Sequence, residues 1–377
     1  MTSQFGKWWL VQRRRAHERP HRQVALLLLA AALACRGEHQ PAPAEPTPPP
    51  APTIAVAKLP WLKGQLHMHT GNSGDSKTPP AEALRWYAAH GFDFVVFTDH
   101  NFVTIAPPDP PLLALPGVEL TQNLDHCDPP PDRPDLACLL HVNALFVDPA
   151  RAGRVHIPPA DTDRRIDRFG RALQVTRELG GLAQLNHPNF HYAADAALLA
   201  ALAGEGLALF ELANESIDTN NAGDAEHPST EALWDDALTR GARLFAVATD
   251  DTHHYFDAAA VESSGETAYT GDRGFVFVHA GRDPAAIRAA IVRGDFYASN
   301  GLRLRELERS PTAIDLSTDT PCDLEFIGAG GEVQRRVHGT SARMALSEAR
   351  GPYLRARVSD AAGRRAWTQP IWRADLP

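Results

Sequence analysis

The sequence predicts an α/β protein whose main body is a distorted TIM-like (β/α)7 barrel, followed by a small C-terminal β module. Three observations carry that expectation. Short apolar runs alternate with amphipathic stretches across 62–301, histidines and carboxylates recur where the apolar runs stop, and beyond residue 301 the alternation shortens towards a period of two.

The candidate strands cover 92–97, 112–120, 141–147, 182–185, 208–212, 244–248 and 275–279. These apolar runs are of strand length, and amphipathic stretches separate them, the pattern expected of β/α units. The helix over 80–90 opens with proline in its first turn and closes at Gly91. Over 163–179, Ile166, Phe169, Leu173, Thr176 and Leu179 share one face, and Gly180-Gly181 stops the helix. The stretches 230–240 and 284–293 repeat the pattern, the second ending at Gly294. In the tail, 314–316, 324–327, 353–358 and 367–372 predict short strands of a β module. A structural role is the simpler reading of that module, and carbohydrate or partner binding the alternative.

Ahead of the barrel, Arg13, Arg14, Arg15 and Arg22 precede an apolar run over 24–34, then Cys35. That arrangement predicts an export signal, and the run is too short for a bilayer, which needs roughly 20 apolar residues. Leu33-Ala34-Cys35 is similar to a bacterial lipobox, which predicts a lipidated Cys35 and a membrane tether; ordinary secretion with cleavage near Ala34 is the alternative. The segment QPAPAEPTPPPAPT over 40–53 has too little apolar surface to fold and too much proline for a helix, so it predicts a stiff spacer. The expected organisation is a signal peptide over 1–35, a tether over 36–56, the barrel over 57–301 and the β module over 302–377. The chain is thus expected to be exported, either periplasmic or anchored at the outer membrane of a bacterium. Cys127 and Cys138 flank a proline-rich loop and form either a disulfide or two free thiols. Cys322 has no obvious partner.

With 46 acidic against 37 basic residues, a formal charge of -9 argues against a surface that neutralises phosphodiester backbones, so nucleic acid is not an expected partner. The 17 histidines matter more for where they fall than for their number. His67 and His69 stand two apart, which on a strand puts both on one face. Asp99-His100 follows FDFVVF, Glu119 ends LLALPGVE, His141 lies at one end of LLHVNALF, His187 follows LAQLN, and Asp251 and His253 follow RLFAVATD. A single histidine of this kind is more often a hydrogen-bonded surface residue. Together they would repel or remain unsatisfied unless divalent cations tied them together.

These motifs resemble the PHP family, named for polymerase and histidinol phosphatase domains, and within it the carbaryl-hydrolase-like (CehA/McbA) branch. The resemblance runs through His67, His69 and Asp75 in HMHTGNSGDS, Thr98-Asp99-His100-Asn101, Glu119 closing P-G-x-E, His141, His187-Pro188 and Asp251-Thr252-His253. The branch-level likeness adds WDDALTRGARLFAVATDDTHH, GDFYASNG, YLRARVSD and AWTQPIW, so that it spans 62 to the carboxyl end. Asp75 stands where some members carry histidine, and the insertion with Cys127 and Cys138 departs from the plain pattern.

The resemblance implies a PHP-type barrel and a site for two or three divalent ions, zinc, manganese or iron. His67, His69, Glu119 and Asp251 would hold one ion, Glu119 would bridge to a second held by His141 and His187, and Asp75, His100 and His253 would hold the third. Glu119, Asp251 and His253 are the expected catalytic residues, with a bridging water or hydroxide as nucleophile. The expected activity is hydrolysis of a phosphoester or of a carboxylic or carbamate ester of a small molecule. The alternative is an exported surface protein that binds metal or ligand without turnover. Around this set, Asp99 and Asp250 either orient imidazoles or cap strand ends. His254 is a candidate leaving-group acid or a neighbour facing away, Arg273 and Lys63 are candidate anion clamps, and His126 and His191 are candidate pocket-lining residues.

Overall fold

The computed structural model describes residues 59–131 and 135–376. The expected leader with Cys35 and the proline-rich tether lie outside the described residues. Apolar runs become strands and amphipathic stretches become helices in the order β1 (Trp61–Gln65), α1 (Pro80–Ala89), β2 (Phe94–Val96), β3 (Phe102–Val103), β4 (Leu113–Leu115), β5 (Gly117–Leu124), β6 (Cys138–Leu145), β7 (Gly153–Arg154) and α2 (Arg165–Glu178). There follow β8 (Leu182–Leu185), α3 (Ala196–Gly204), β9 (Leu209–Asn214), α4 (Thr230–Thr239), β10 (Phe245–Thr249), α5 (Ala258–Ser263), β11 (Phe275–His279), α6 (Pro284–Arg293) and β12 (Phe296–Ser299). The remainder is all strand, β13 (Glu306–Arg309), β14 (Ala313–Ile327), β15 (Val333–Ala345), β16 (Tyr353–Ser359), β17 (Arg365–Thr368) and β18 (Ile371–Trp372), apart from short 3-10 turns.

The helix ends follow the sequence signals. Pro80 opens α1, the Ser229 hydroxyl accepts from Ala232 N at the start of α4, and Gly294 closes α6 in the left-handed conformation at φ 74°. The run over 112–120 is split at Pro116 into β4 and β5, because proline has no N–H to give a ladder. Gly117 is required at that crossing, since a Cβ there would lie 2.5 Å from Phe97 O.

The fold is mixed α/β. One sheet of 11 strands follows the path β13-β14-β16-β17-β12-β11-β1-β2-β4, with β15 on β14 and β18 on β16; a second follows β10-β9-β8-β6-β5, and β3 and β7 form a two-stranded ribbon. The chain crosses from the first sheet to the second between β4 and β5. Beyond the ladders, isolated bridges join Met68 to Thr252 and His100 to Glu119. Asp251 N donates to His67 O at 3.1 Å, and His69 N to Thr252 O at 2.9 Å. Between the sheets, Leu62, Phe94, Val96 and Leu115 meet Leu145, Leu209 and Val247 in one apolar cluster. Residues 302–376 extend the same sheet that contains β1, through the antiparallel pairing of β12 with β17.

Two polar devices fasten this extension. The Gln369 amide accepts from Ala246 N and donates to Ala246 O, satisfying the edge of β10 as another strand would. Arg355 is fully buried and makes two bonds to Asp235 on α4, at 2.8 and 2.6 Å, and one to Glu231 at 2.8 Å. Cys127 and Cys138 are joined as a disulfide across the end of the β5–β6 hairpin, and Cys322 is a buried free thiol.

Candidate metal centre

Parallel strands point their carboxyl ends to one side, so residues that follow β1, β2, β8 and β10 share a mouth. His67 and His69 follow β1, His100 follows β2, His187 follows β8, and Asp251 and His253 follow β10. β6 runs antiparallel to its neighbours, so His141, near its start, reaches the same mouth, where it pairs in register with Thr121. Glu119 is the third residue of β5 and not the end of the earlier run, as the sequence had suggested; the break at Pro116 shifts the strand along the chain.

Glu119 is the centre of the arrangement. Its Oε1 lies 3.1 Å from His141 Nδ1, 3.5 Å from His67 Nε2 and 3.6 Å from His187 Nε2, and its Oε2 lies 2.6 Å from His100 Nδ1 and 3.6 Å from His69 Nε2. Asp251 Oδ1 lies 3.0 Å from His69 Nε2 and 3.3 Å from His67 Nε2. Asp75 Oδ2 lies 3.0 Å from His100 Nε2 and 3.4 Å from His253 Nε2. All nine expected ligand residues thus converge. Their donor atoms fall into three groups able to hold a cation: His67, His69 and Asp251; Glu119, His141 and His187; and His69, Asp75, His100 and His253. His69 belongs to two groups, where the resemblance had implied one.

The donor set itself fits divalent cations. Imidazole nitrogens and carboxylate oxygens suit zinc, manganese or iron. His187 Nδ1 is buried without a hydrogen-bond partner, and His141 Nδ1 faces Glu119 without the alignment of a hydrogen bond. Such orphaned nitrogens are costly unless something else satisfies them. His141 Nε2 is 2.7 Å from Asn123 Oδ1, an acceptor that fixes the ring proton there and leaves Nδ1 as a lone pair facing the centre.

Burial alone would lower every imidazole pKa here, but the carboxylates overturn it at several positions. His67 is held well above its ordinary range because Asp251, Glu211 and Glu119 outweigh burial, and Glu119 and Asp75 push His100 up to about 10. His69 goes the other way, to about 3, since burial is reinforced by the neighbouring His253 and His100. Burial would raise Glu119, yet His100, His141 and His67 hold it well below the carboxylate range. The centre therefore keeps its carboxylates ionised, and protons and metal cations compete for the same nitrogen lone pairs.

Backbone conformation supports the assembly. His187 at φ 26° and Asp251 at φ 53° are non-glycine residues in the left-handed region, which is unfavourable unless surrounding contacts impose it. For His187 the imposing contact is its N–H, which donates to Glu211 Oε2 at 2.6 Å.

Glu211 was not singled out from the sequence. It is wholly buried on β9, lies 2.6 Å from His67 Nδ1, and accepts from Thr249 Oγ1 at 2.7 Å and Asn214 Nδ2 at 2.9 Å. Its signal was an acid inside the apolar strand LFELAN. Asn186 was also missed; it donates to Glu119 Oε1 at 2.8 Å and to Asn143 Oδ1 at 3.0 Å.

Other candidates turn out differently. Asp99 accepts from Thr70 N, Thr70 Oγ1 and Thr104 Oγ1, and Asp250 accepts from the backbone of Asp272, Arg273 and Gly274. These contacts hold loops, and neither carboxylate orients an imidazole. Lys63 Nζ is engaged by Asp272 and His90 O, and Arg273 is exposed outside the cleft; neither clamps a ligand. His126 is exposed, and His191 lines a neighbouring cleft rather than the centre. His254 does line the central cleft, with its Nδ1 accepting from Tyr269 N.

The cleft over the centre encloses about 260 Å³. Phe190, Tyr269, Ser216, Asp218 and Thr219 form its walls, and Asp75, His100, Glu119, His141, His187, Asp251 and His253 line it from the centre. No protein-family model matches the chain, and no curated protein matches it.

Proposed function

We propose that this chain is a metal-dependent hydrolase of the PHP kind, close to the carbaryl-hydrolase-like branch, which cleaves an ester bond of a small molecule. The observation that carries the proposal is the buried Glu119, faced within 3.6 Å by five imidazoles at the floor of an open cleft. Divalent cations held by the nine converging residues would supply a Lewis acid and lower the proton affinity of a water enough for attack near neutral pH. The chain's own groups do the rest. Glu119, Asp251 and Asp75 balance the charge, Phe190 and Tyr269 wall off bulk water, and His254 lines the cleft as a carrier of the proton that the departing alcohol takes up.

The cleft favours a carboxylic or carbamate ester over a phosphoester. A phosphoryl group asks for fixed positive charge around three oxygens, and beyond the cations proposed for the floor no lysine or arginine lines the cleft among the described residues. The distorted seven-stranded barrel belongs to the same proposal, with β1, β2, the β4–β5 strand, β6, β8, β9 and β10 as its staves; the expected strand over 275–279, β11, instead pairs antiparallel with β1 and carries the first sheet on to β12. The hydrogen bonds from Asp251 N to His67 O and from His69 N to Thr252 O support closure between β10 and β1. Export with a lipid tether at Cys35 and a β-rich C-terminal part are proposed with it.

Metal analysis of the purified protein, followed by turnover of an aryl acetate, an aryl carbamate and an aryl phosphate by the wild type and Glu119→Ala, tests the proposal. Bound metal and ester turnover should be lost together in the variant. Full metal occupancy in the wild type with no turnover of any ester would leave the non-catalytic binding protein as the reading.

A further inference from the structure

The walls of the cleft differ in chemistry from its floor. On the floor every carboxylate faces imidazoles. At the mouth stand Asp218, which is exposed, and two aromatic rings, Phe190 and Tyr269. Asp218 is fixed rather than free to swing, since its Oδ1 accepts from Ser216 Oγ at 3.0 Å and its Oδ2 from the Tyr269 hydroxyl at 3.2 Å. Tyr269 is in turn held between ring contacts with His253 and His254, and Phe190 presents its ring edge-on to His187 at 5.4 Å. A carboxylate and two aromatic rings therefore sit in fixed positions directly above the reacting centre.

Asp218 and Phe190 also line a second cleft beside the first, of about 630 Å³, so the two clefts share these residues as a common wall. There the wall carries Asp224 and Glu226. Asp224 is kept ionised by bonds from the Tyr192 hydroxyl and from His227, which pull its pKa down to about 2. Among the described residues neither cleft is lined by a lysine or arginine. At the mouth, set apart from the cations proposed for the floor, carboxylates beside aromatic rings attract a cation locally, and the rings add attraction to a poorly hydrated ammonium group.

Building on the hydrolase reading, we propose that the mouth of the cleft, at Asp218, Tyr269 and Phe190, takes an ammonium-type cation carried by the non-reacting part of the substrate. The substrate class is thus an ester of an amino alcohol or of a comparably cationic alcohol. Hydrolysis would add water across the acyl–oxygen bond, leaving the carboxylic acid and the cationic alcohol.

The test uses the metal-loaded protein with a matched pair of probes. The acetate esters of choline and of its uncharged isostere 3,3-dimethylbutanol are compared as substrates, and the two alcohols themselves as ligands by calorimetry. The cationic member should be favoured by about five- to tenfold at low salt in kcat/KM and in affinity, and raising the ionic strength to about 0.5 M should shrink the preference. Asp218→Asn should bring both ratios towards one, as should Tyr269→Leu to a smaller extent. If the two alcohols bind equally well, or if the preference survives Asp218→Asn, the subsite is refuted whatever the turnover. If neither ester is cleaved while choline binding keeps its dependence on Asp218, the hydrolase reading falls and the cation subsite stands.

Discussion

Glu211 Oε1 lies 2.6 Å from His67 Nδ1, with both side chains wholly buried. A carboxylate oxygen facing Nδ1 accepts its proton, so that Nε2 is the ring nitrogen left to face Asp251 and Glu119. Glu211 also accepts the N–H of His187, so one side chain steadies donors from two of the three ligand groups. Glu211→Gln sets an amide N–H₂ against donors and should weaken metal affinity by about 10- to 100-fold. Competition with a coloured chelator checks this, and unchanged affinity would remove Glu211 from any positioning role.

If the centre holds cations as proposed, removing them should destabilise the fold as well as abolish the proposed ester turnover. The centre gathers Asp75, Glu119 and Asp251 in one place, and cations that bind only the folded chain add stability by mass action, about 2.7 kcal/mol at a free concentration 100 times Kd. Chelation should lower Tm, and zinc or manganese should restore it in a concentration-dependent way. A Tm indifferent to chelator would argue that no ion is held there.

Arg355 and Asp235 join the C-terminal strands to α4 inside the protein. Asp235→Ala removes two of the three carboxylate bonds to a buried guanidinium and leaves it Glu231, and losing a partner of a buried pair costs up to about 3–5 kcal/mol. Calorimetric unfolding should show this as a large fall in Tm. A loss within about 0.5 kcal/mol, the range of ordinary surface changes, would show that Arg355 finds other partners.

Glu231 gives the stability a pH dependence. Burial would raise its carboxyl, but Arg355 and Arg357 outweigh burial and hold it below the ordinary range. A carboxyl whose folded pKa lies below its unfolded value stabilises the fold above the unfolded pKa, about 4.3, and that contribution is lost as pH falls through the folded value. Glu231→Gln should therefore be less stable than the wild type at neutral pH, and the gap should narrow below about pH 4.3 in urea titrations. A gap constant with pH would contradict the assignment.

The Cys127–Cys138 disulfide closes a loop with a sequence separation of 11. Cross-linking so short a loop is worth about 2–3 kcal/mol. Cys138→Ser should lower the urea midpoint accordingly, and reduction of the wild type should mimic it. Equal midpoints for oxidised and reduced protein would indicate that the loop order comes from elsewhere.

Much of this chain was legible from its residues alone. The strand over 182–185 and the helix over 284–293 match the observed elements to the residue, because apolar period, proline and glycine act within a few residues of where they stand. Eight of the nine candidate ligand residues were legible for a different reason: acids and imidazoles beside apolar runs violate local economy, and only a shared purpose accounts for so many; Asp75 was reached through the resemblance to the PHP motif alone. Other features depended on contacts far apart in the chain. Glu211 lies 144 positions from His67, and nothing near LFELAN reveals what it touches. Asp99 and Asp250 look like partners of the adjacent histidines until folding turns them towards Thr70 and the 272–274 backbone. Likewise the continuity of the C-terminal strands with the β1 sheet was decided by tertiary pairing, where β12 offers its edge to β17. Local chemistry determined which residues would have to be reconciled with one another; only the packing of the sheets decided which atoms meet, because hydrogen-bond and ion-pair energies depend on ångström-scale separations that sequence spacing does not encode.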